Sequence, residues 1–124
     1  METGGIKSNA IKVKQKVIFR VDAGQKTGFG HVVRCKALAA ALDPFFSVSF
    51  VTCNTPDVFR KSLLESFLLE PYDSDEEFFA SLKGNEIVVL DGYDFDLNYQ
   101  QKIRTKGVLI VCIDDVATES FSAD

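Results

Sequence analysis

The sequence has few of the residues that build several common kinds of site. Its 124 residues include one histidine, three cysteines and no tryptophan. The cysteines are Cys35, Cys53 and Cys112, and their odd number and wide spacing match neither a disulfide framework nor a zinc motif. We therefore interpret them as reduced thiols in a cytoplasmic protein, and we expect no metal and no cofactor.

Long stretches of one chemical kind are also missing. No block of lysine and arginine stands out and the formal net charge is −4, so a nucleic-acid partner, which needs a positive field, is not expected. No apolar run approaches the roughly 20 residues of a membrane helix. Residues 1–15 lack the apolar segment of a signal peptide, and we expect them to be a flexible leader. Residues 16–124 then suffice for one domain.

The rest of the chain alternates short apolar runs with helix formers. Continuous apolar strands that alternate with helices predict an α/β fold, a Rossmann-like parallel sheet with helices on both faces. The predicted strands are 16–21, 47–53, 67–69, 86–90 and 108–113, and the predicted helices are 31–42, 57–66, 73–82 and 97–105.

The helices also carry predictions about faces and caps. The spacing of apolar residues predicts one inward face on each of the first two helices, and a polar residue is expected to cap the third. The inward residues are Cys35, Leu38, Ala39 and Leu42 in the first helix and Val58, Leu63 and Leu64 in the second, and the candidate caps are Asp73 and Ser74.

Polar or glycine-rich segments follow three of the predicted strands, at residues 22–31, 91–94 and 114–115. Ligands bind at the carboxyl ends of parallel strands, so these segments are the candidate site. In the first, Gly28 and Gly30 allow close approach of a ligand, and the following helix start can face an anion. The loop is not a Walker A motif, since His31 follows Gly30, and Val33 replaces the third glycine of a dinucleotide fingerprint.

His31 is the one histidine of the chain and stands at the predicted helix start. The helix dipole disfavours an imidazolium there, so a neutral His31 is available as a general base. Arg34 lies three residues on, near the same face, and Asp22 is the candidate carboxylate for orienting the ring. The alternative is a histidine that only caps the helix. The helix start and Arg34 could favour a thiolate at Cys35, but a buried structural cysteine is the simpler interpretation.

Four segments together resemble a known family. Residues 19–23 (Phe-Arg-Val-Asp-Ala) and 28–35 (Gly-Phe-Gly-His-Val-Val-Arg-Cys) resemble the start of hydrolases that remove UDP from UDP-2,4-diacetamido-2,4,6-trideoxy-altrose in pseudaminic acid biosynthesis. Residues 89–93 and 113–115 resemble two later family segments. Spore-coat polysaccharide biosynthesis proteins share the pattern. The family is similar to glycosyltransferases of cell-wall lipid synthesis, and all have the two-domain GT-B architecture.

The resemblance implies roles for named residues. His31 matches the family's proposed base, which activates a water for attack on the anomeric carbon, and Tyr93 matches an active-site tyrosine. The family requires no metal. With the strand-end argument, the resemblance also nominates substrate-binding residues, which are Asp22, Gly28, Gly30, Arg34 and Asp91. Two positions depart from the family: Gly92 stands where histidine is frequent, and Phe29 where a small residue is common.

The resemblance covers the N-terminal half of a GT-B enzyme. The family's second domain holds most contacts to uridine and pyrophosphate, and nothing in this sequence corresponds to it. We therefore expect a UDP-sugar substrate and a separate C-terminal UDP-binding domain or chain as the candidate partner. Exposure of Phe95 or Phe121 would indicate a face that receives such a partner.

Two other functions stay open at this point. The chain could be the acceptor-side domain of a GT-B glycosyltransferase, because this half alone does not separate water from a sugar hydroxyl as the acceptor. It could also be a non-catalytic domain. For Asp91, Asp114 and Asp115, each taken alone, capping of strand ends and helices is the simpler interpretation.

Overall fold

The structure is a computed structural model that describes residues 14–22, 30–53, 55–72, 74–92 and 95–113. Several sequence predictions lie outside these residues. They concern the leader up to residue 13, Gly28, Phe29, Asp73, Tyr93, Asp114, Asp115 and Phe121.

The described residues form one parallel sheet with helices between its strands. The elements in chain order are β1 (Lys16–Val21), α1 (Gly30–Leu42), β2 (Ser47–Val51), α2 (Asp57–Leu64), β3 (Leu68–Leu69), α3 (Asp75–Ser81), β4 (Ile87–Asp91), α4 (Leu97–Arg104) and β5 (Leu109–Ile113). All strand pairs are parallel, and the strand order is β3-β2-β1-β4-β5. The prediction of a Rossmann-like α/β fold is therefore confirmed.

Each face of the sheet has its own apolar core. Alternate residues of β1 point to opposite faces, so that Phe19 packs with α1 and α2 while Ile18 packs with α3 and α4. The first core includes Val32, Cys35 and Leu63 from the helices. Because both faces are covered, the central strands are buried on both sides, which explains their continuous apolar runs.

The predicted boundaries hold to within about two residues, as is usual for fraying helix and strand ends. The predicted face of α2 is partly wrong, because Val58 and Leu64 are 67% and 57% exposed. Instead, Phe59 and Leu63 contact the core, one helical turn apart. In α1, Leu38 is likewise exposed, while Cys35 and Ala39 are buried.

The helix starts are capped by side chains that the sequence makes available. Ser74 caps α3 by accepting a hydrogen bond from the Glu77 amide at 3.2 Å, as predicted, and Asp96 caps α4 through the Tyr99 amide at 3.0 Å.

Phe95 is 8% exposed, so it does not form an exposed aromatic face for a partner. Among the described helices, none combines the length and apolar character that crossing a bilayer demands.

Candidate functional site

The candidate site lies where the strand order reverses. β1 and β4 are neighbours at the centre of the sheet, and the chain leaves them toward opposite edges, to β2 and to β5. Val21 pairs with Asp91, so the carboxyl ends of β1 and β4 are level. In open α/β sheets this reversal creates a crevice where ligands bind. The first turn of α1, with Gly30 and His31, stands at the same end.

Asp91 is the centre of the site. Its side chain has no exposed surface, and its carboxylate contacts three side chains from the first turns of α1. His31 Nδ1 lies 2.7 Å from Oδ1, and Arg34 places Nε 2.7 Å from Oδ2 and Nη2 2.6 Å from Oδ1. The Cys35 thiol donates to Oδ2 at 3.3 Å. The sequence placed these residues at two separate strand ends, and the fold brings them into one cluster.

The contacts fix which nitrogen of His31 carries a proton. An ionised Asp91 paired with Arg34 accepts hydrogen bonds and donates none, so His31 Nδ1 is the donor in their 2.7 Å contact. Arg34 Nη2 lies 3.2 Å from the same Nδ1 because both nitrogens bind Oδ1 of Asp91. In the neutral ring, Nε2 then carries the lone pair. The side chain is 8% exposed, so the histidine is held in place with little contact to bulk water.

Arg34 binds Asp91, and its predicted role in substrate binding stays a prediction. Two of its nitrogens bind the Asp91 carboxylate in a fork. Its side chain remains 31% exposed.

Cys35 is the buried structural cysteine that was the simpler interpretation. Burial raises the pKa of the Cys35 thiol well above its ordinary range, and the charge of Asp91 raises it further. The thiol is therefore a neutral hydrogen-bond donor to Asp91 and not a thiolate nucleophile.

The carboxylate that orients His31 is Asp91, so the assignment of this task to Asp22 is corrected. Asp22 Oδ1 accepts from Arg20 Nη1 at 2.8 Å and from the backbone amide of Cys53 at 2.7 Å. These bonds direct Asp22 toward the end of β2 and toward the other face of the sheet. Asp91 reaches His31 instead because it ends the strand beside β1 and lies under the start of α1.

A second ionic cluster, centred on Arg20, occupies that other face. Arg20 is 1% exposed although it lies in the central strand β1. Its Nε contacts Asp75 Oδ1 at 3.0 Å and the Tyr99 hydroxyl at 3.1 Å, and its guanidinium carbon lies 5.0 Å from the centre of the Phe95 ring. This cluster was not predicted from the sequence. The signal was available, because a single arginine within a buried β-branched run needs acidic partners.

Arg20 stays charged and Tyr99 stays neutral in this cluster. Burial acts to lower the pKa of Arg20, but the hydrogen bond and charge of Asp22 and the hydrogen bond of Asp75 keep it above the ordinary arginine value. Burial raises the pKa of Tyr99; Arg20 opposes this shift, and Asp75 adds to it. Tyr99 therefore stays a phenol and donates to Asp75 at 2.6 Å.

Two glycines border the site, and they differ in the space around them. A side-chain carbon built at Gly30, at the start of α1, would meet no atom of the described residues within 4 Å. At Gly92, which has φ +154°, the same carbon would lie 3.1 Å from the Phe95 ring. The histidine that is frequent in the resembling family at the position of Gly92 would therefore require Phe95 to move.

Among the residues that the structure describes, no group of three or more histidine, cysteine, aspartate or glutamate side chains is arranged to hold a metal ion. No protein-family model matches the sequence, and no curated protein matches it.

Proposed function

We propose that this chain is the N-terminal domain of a nucleotide-sugar hydrolase, which cleaves UDP from a UDP-diacetamido-trideoxy sugar by attack of water on the anomeric carbon. The observation that carries the proposal is the pair formed by His31 and Asp91 at the reversal of strand order, 2.7 Å apart. A histidine held by a buried carboxylate at the ligand-binding end of a parallel sheet is suited to general base catalysis.

In this proposal His31 Nε2 takes a proton from the attacking water. The water oxygen forms a bond to the anomeric carbon, the bond from that carbon to the phosphate oxygen breaks, and UDP leaves with the electron pair. Asp91 keeps its charge and stabilises the imidazolium through Nδ1. Arg34 fixes the direction of the Asp91 carboxylate. The sugar is released with the hydroxyl derived from water.

The surroundings of His31 support a ligand of this kind. The open space at Gly30 admits a sugar close to the base, and the amide groups at the start of α1 favour an anionic group. The resembling enzymes hold uridine and pyrophosphate mainly with a second domain. We therefore propose that this chain supplies the water-activating wall of the crevice, with a UDP-binding domain as its partner.

The test is UDP release from UDP-2,4-diacetamido-2,4,6-trideoxy-altrose in water enriched in oxygen-18. The chain is assayed alone and together with the C-terminal domain of a hydrolase of the resembling family. We expect UDP release that falls about 100- to 10,000-fold in His31→Ala. The control is Val33→Ala, which changes an exposed side chain two positions along α1 and should leave the rate unchanged.

The position of the oxygen-18 label decides the chemistry. The proposal predicts label in the free sugar and none in UDP, because water attacks carbon and not phosphorus. Label in UDP would contradict attack of water on carbon. UDP release that persists in His31→Ala would contradict the assignment of His31 as the base. Failure of both preparations to release UDP would overturn the proposed hydrolase. Transfer to an added sugar hydroxyl, with no hydrolysis, would favour the glycosyltransferase alternative.

A further inference from the structure

We infer that Arg34 is a positioning residue that opposes protonation of His31 by neutralising the Asp91 carboxylate. The part of this inference that concerns turnover rests on the proposed function. The part that concerns the proton on His31 does not, because it is measured on the protein without substrate.

The geometry of the three side chains carries the inference. Arg34 uses two nitrogens, Nε on Oδ2 at 2.7 Å and Nη2 on Oδ1 at 2.6 Å, so each oxygen of Asp91 has a cationic donor. His31 Nδ1 binds Oδ1 at 2.7 Å. The imidazole therefore shares an oxygen with a guanidinium that is already bound to it.

The charges decide what a proton on Nε2 would cost. With a neutral ring, Asp91 and Arg34 sum to zero. With a protonated ring, the cluster has an excess positive charge around a carboxylate that has no exposed surface. The imidazolium would also lie beside Arg34 Nη2, which is 3.2 Å from Nδ1. Like charges at this separation oppose protonation, whereas Asp91 without Arg34 would favour it.

Two further groups on neighbouring parts of the chain, Cys35 and Asp22, do not replace Arg34. From α1, Cys35 contributes a neutral thiol to Asp91 Oδ2. From the end of β1, Asp22 is directed toward Arg20 and the Cys53 amide. The charged groups that contact His31 include Asp91 from β4 and Arg34 from its own helix.

The test uses the fact that His31 is the one histidine in the chain, so its imidazole NMR signals need no assignment by mutation. The measured quantity is the pH at which half of the His31 side chains are protonated. In Arg34→Gln we expect this midpoint to rise by about one pH unit or more. Lys36→Gln is the matched control. It removes the same charge from α1, but Lys36 binds Ser62 and not Asp91, so its midpoint should stay at the wild-type value.

Asp91→Asn provides an independent readout should Arg34→Gln fail to fold. It keeps the charge of Arg34 and removes the carboxylate, so the midpoint should fall below the wild-type value. An unchanged or lower midpoint in Arg34→Gln, or an unchanged or higher one in Asp91→Asn, would overturn the inference.

Turnover separates the inference from the proposed function. If the chain hydrolyses the UDP-sugar, the rising limb of the pH–rate profile should move to higher pH in Arg34→Gln by the same amount as the NMR midpoint. A shifted NMR midpoint without UDP release would sink the proposed hydrolase and leave the role of Arg34 intact. Normal UDP release with an unshifted midpoint in Arg34→Gln would overturn the role of Arg34 and leave the proposed hydrolase intact.

Discussion

The carboxyl end of the sheet has two buried ionic clusters, one on each face, and they are built differently. On the α1 face, Asp91 is a single carboxylate surrounded by donors, one of which is a titratable imidazole. On the other face, Arg20 is a single cation surrounded by acceptors and a phenol. Both centres are essentially inaccessible to solvent.

The difference separates a structural cluster from the candidate catalytic cluster. In the Arg20 cluster the pKa values of Arg20 and Tyr99 are both raised, so neither group changes its charge near neutral pH. This cluster joins β1 to α3 and α4. In the Asp91 cluster, the side chain held by the carboxylate is an imidazole, a group that serves in general acid–base catalysis. We therefore expect changes in the Arg20 cluster to affect stability first, and changes in the Asp91 cluster to affect proton transfer first.

The largest expected effect is the loss of Arg20. Arg20→Met leaves Asp22 and Asp75 without their shared cation, and we expect the free energy of unfolding to fall by about 3–5 kcal/mol. Urea denaturation measures this change. Lys102→Met is the matched control, since it removes the same charge from the exposed side of α4 and should change stability by less than about 0.5 kcal/mol. Equal effects of the two substitutions would contradict a structural role for the cluster.

A smaller effect is expected when Tyr99 loses its hydroxyl. Tyr99→Phe removes the bonds to Asp75 and Arg20 but keeps the ring contacts with Phe79 and Phe95. We expect a loss of about 1–2 kcal/mol in urea denaturation, with UDP release unchanged below the unfolding transition. A large loss of UDP release in the folded variant would show that the two clusters are not separate in function.

The sequence predicted much of the sheet and less of the site. The strands follow from apolar runs such as residues 87–90, because a sheet covered on both faces requires them. The rule that ligands bind at strand ends singled out Asp91, which contacts His31 in the structure. It did not show that Asp91 and His31, 60 residues apart in the chain, would form a bond. That contact depends on the strand order, which brings β4 next to β1.

The Arg20 cluster shows the same limit. Its partners come from the end of β1, from α3 and from α4, and no local spacing relates Arg20 to Asp75 or Tyr99. A lone arginine in a buried strand reveals that partners must exist, but it does not identify them.

The smallest effect on stability is expected at Gly30. Gly30→Ala places a methyl group in open space at the start of α1, so stability should stay unchanged or rise by up to about 1 kcal/mol. The same methyl group should weaken UDP-sugar binding if the ligand approaches here. Thermal unfolding and substrate affinity are measured together. A clear loss of stability would contradict the open space around Gly30. Unchanged substrate affinity would contradict an approach of the ligand at Gly30.

The central claim, that Asp91 presents His31 with Nε2 as the base, is tested most directly by nitrogen-15 NMR of the imidazole ring. Long-range correlation spectra above the protonation midpoint distinguish a nitrogen that bears hydrogen from one with a lone pair. We predict that Nδ1 bears the hydrogen and Nε2 the lone pair, and that Asp91→Asn weakens this preference. A wild-type ring with hydrogen on Nε2 would contradict the claim, because His31 could not then take a proton from water through that atom.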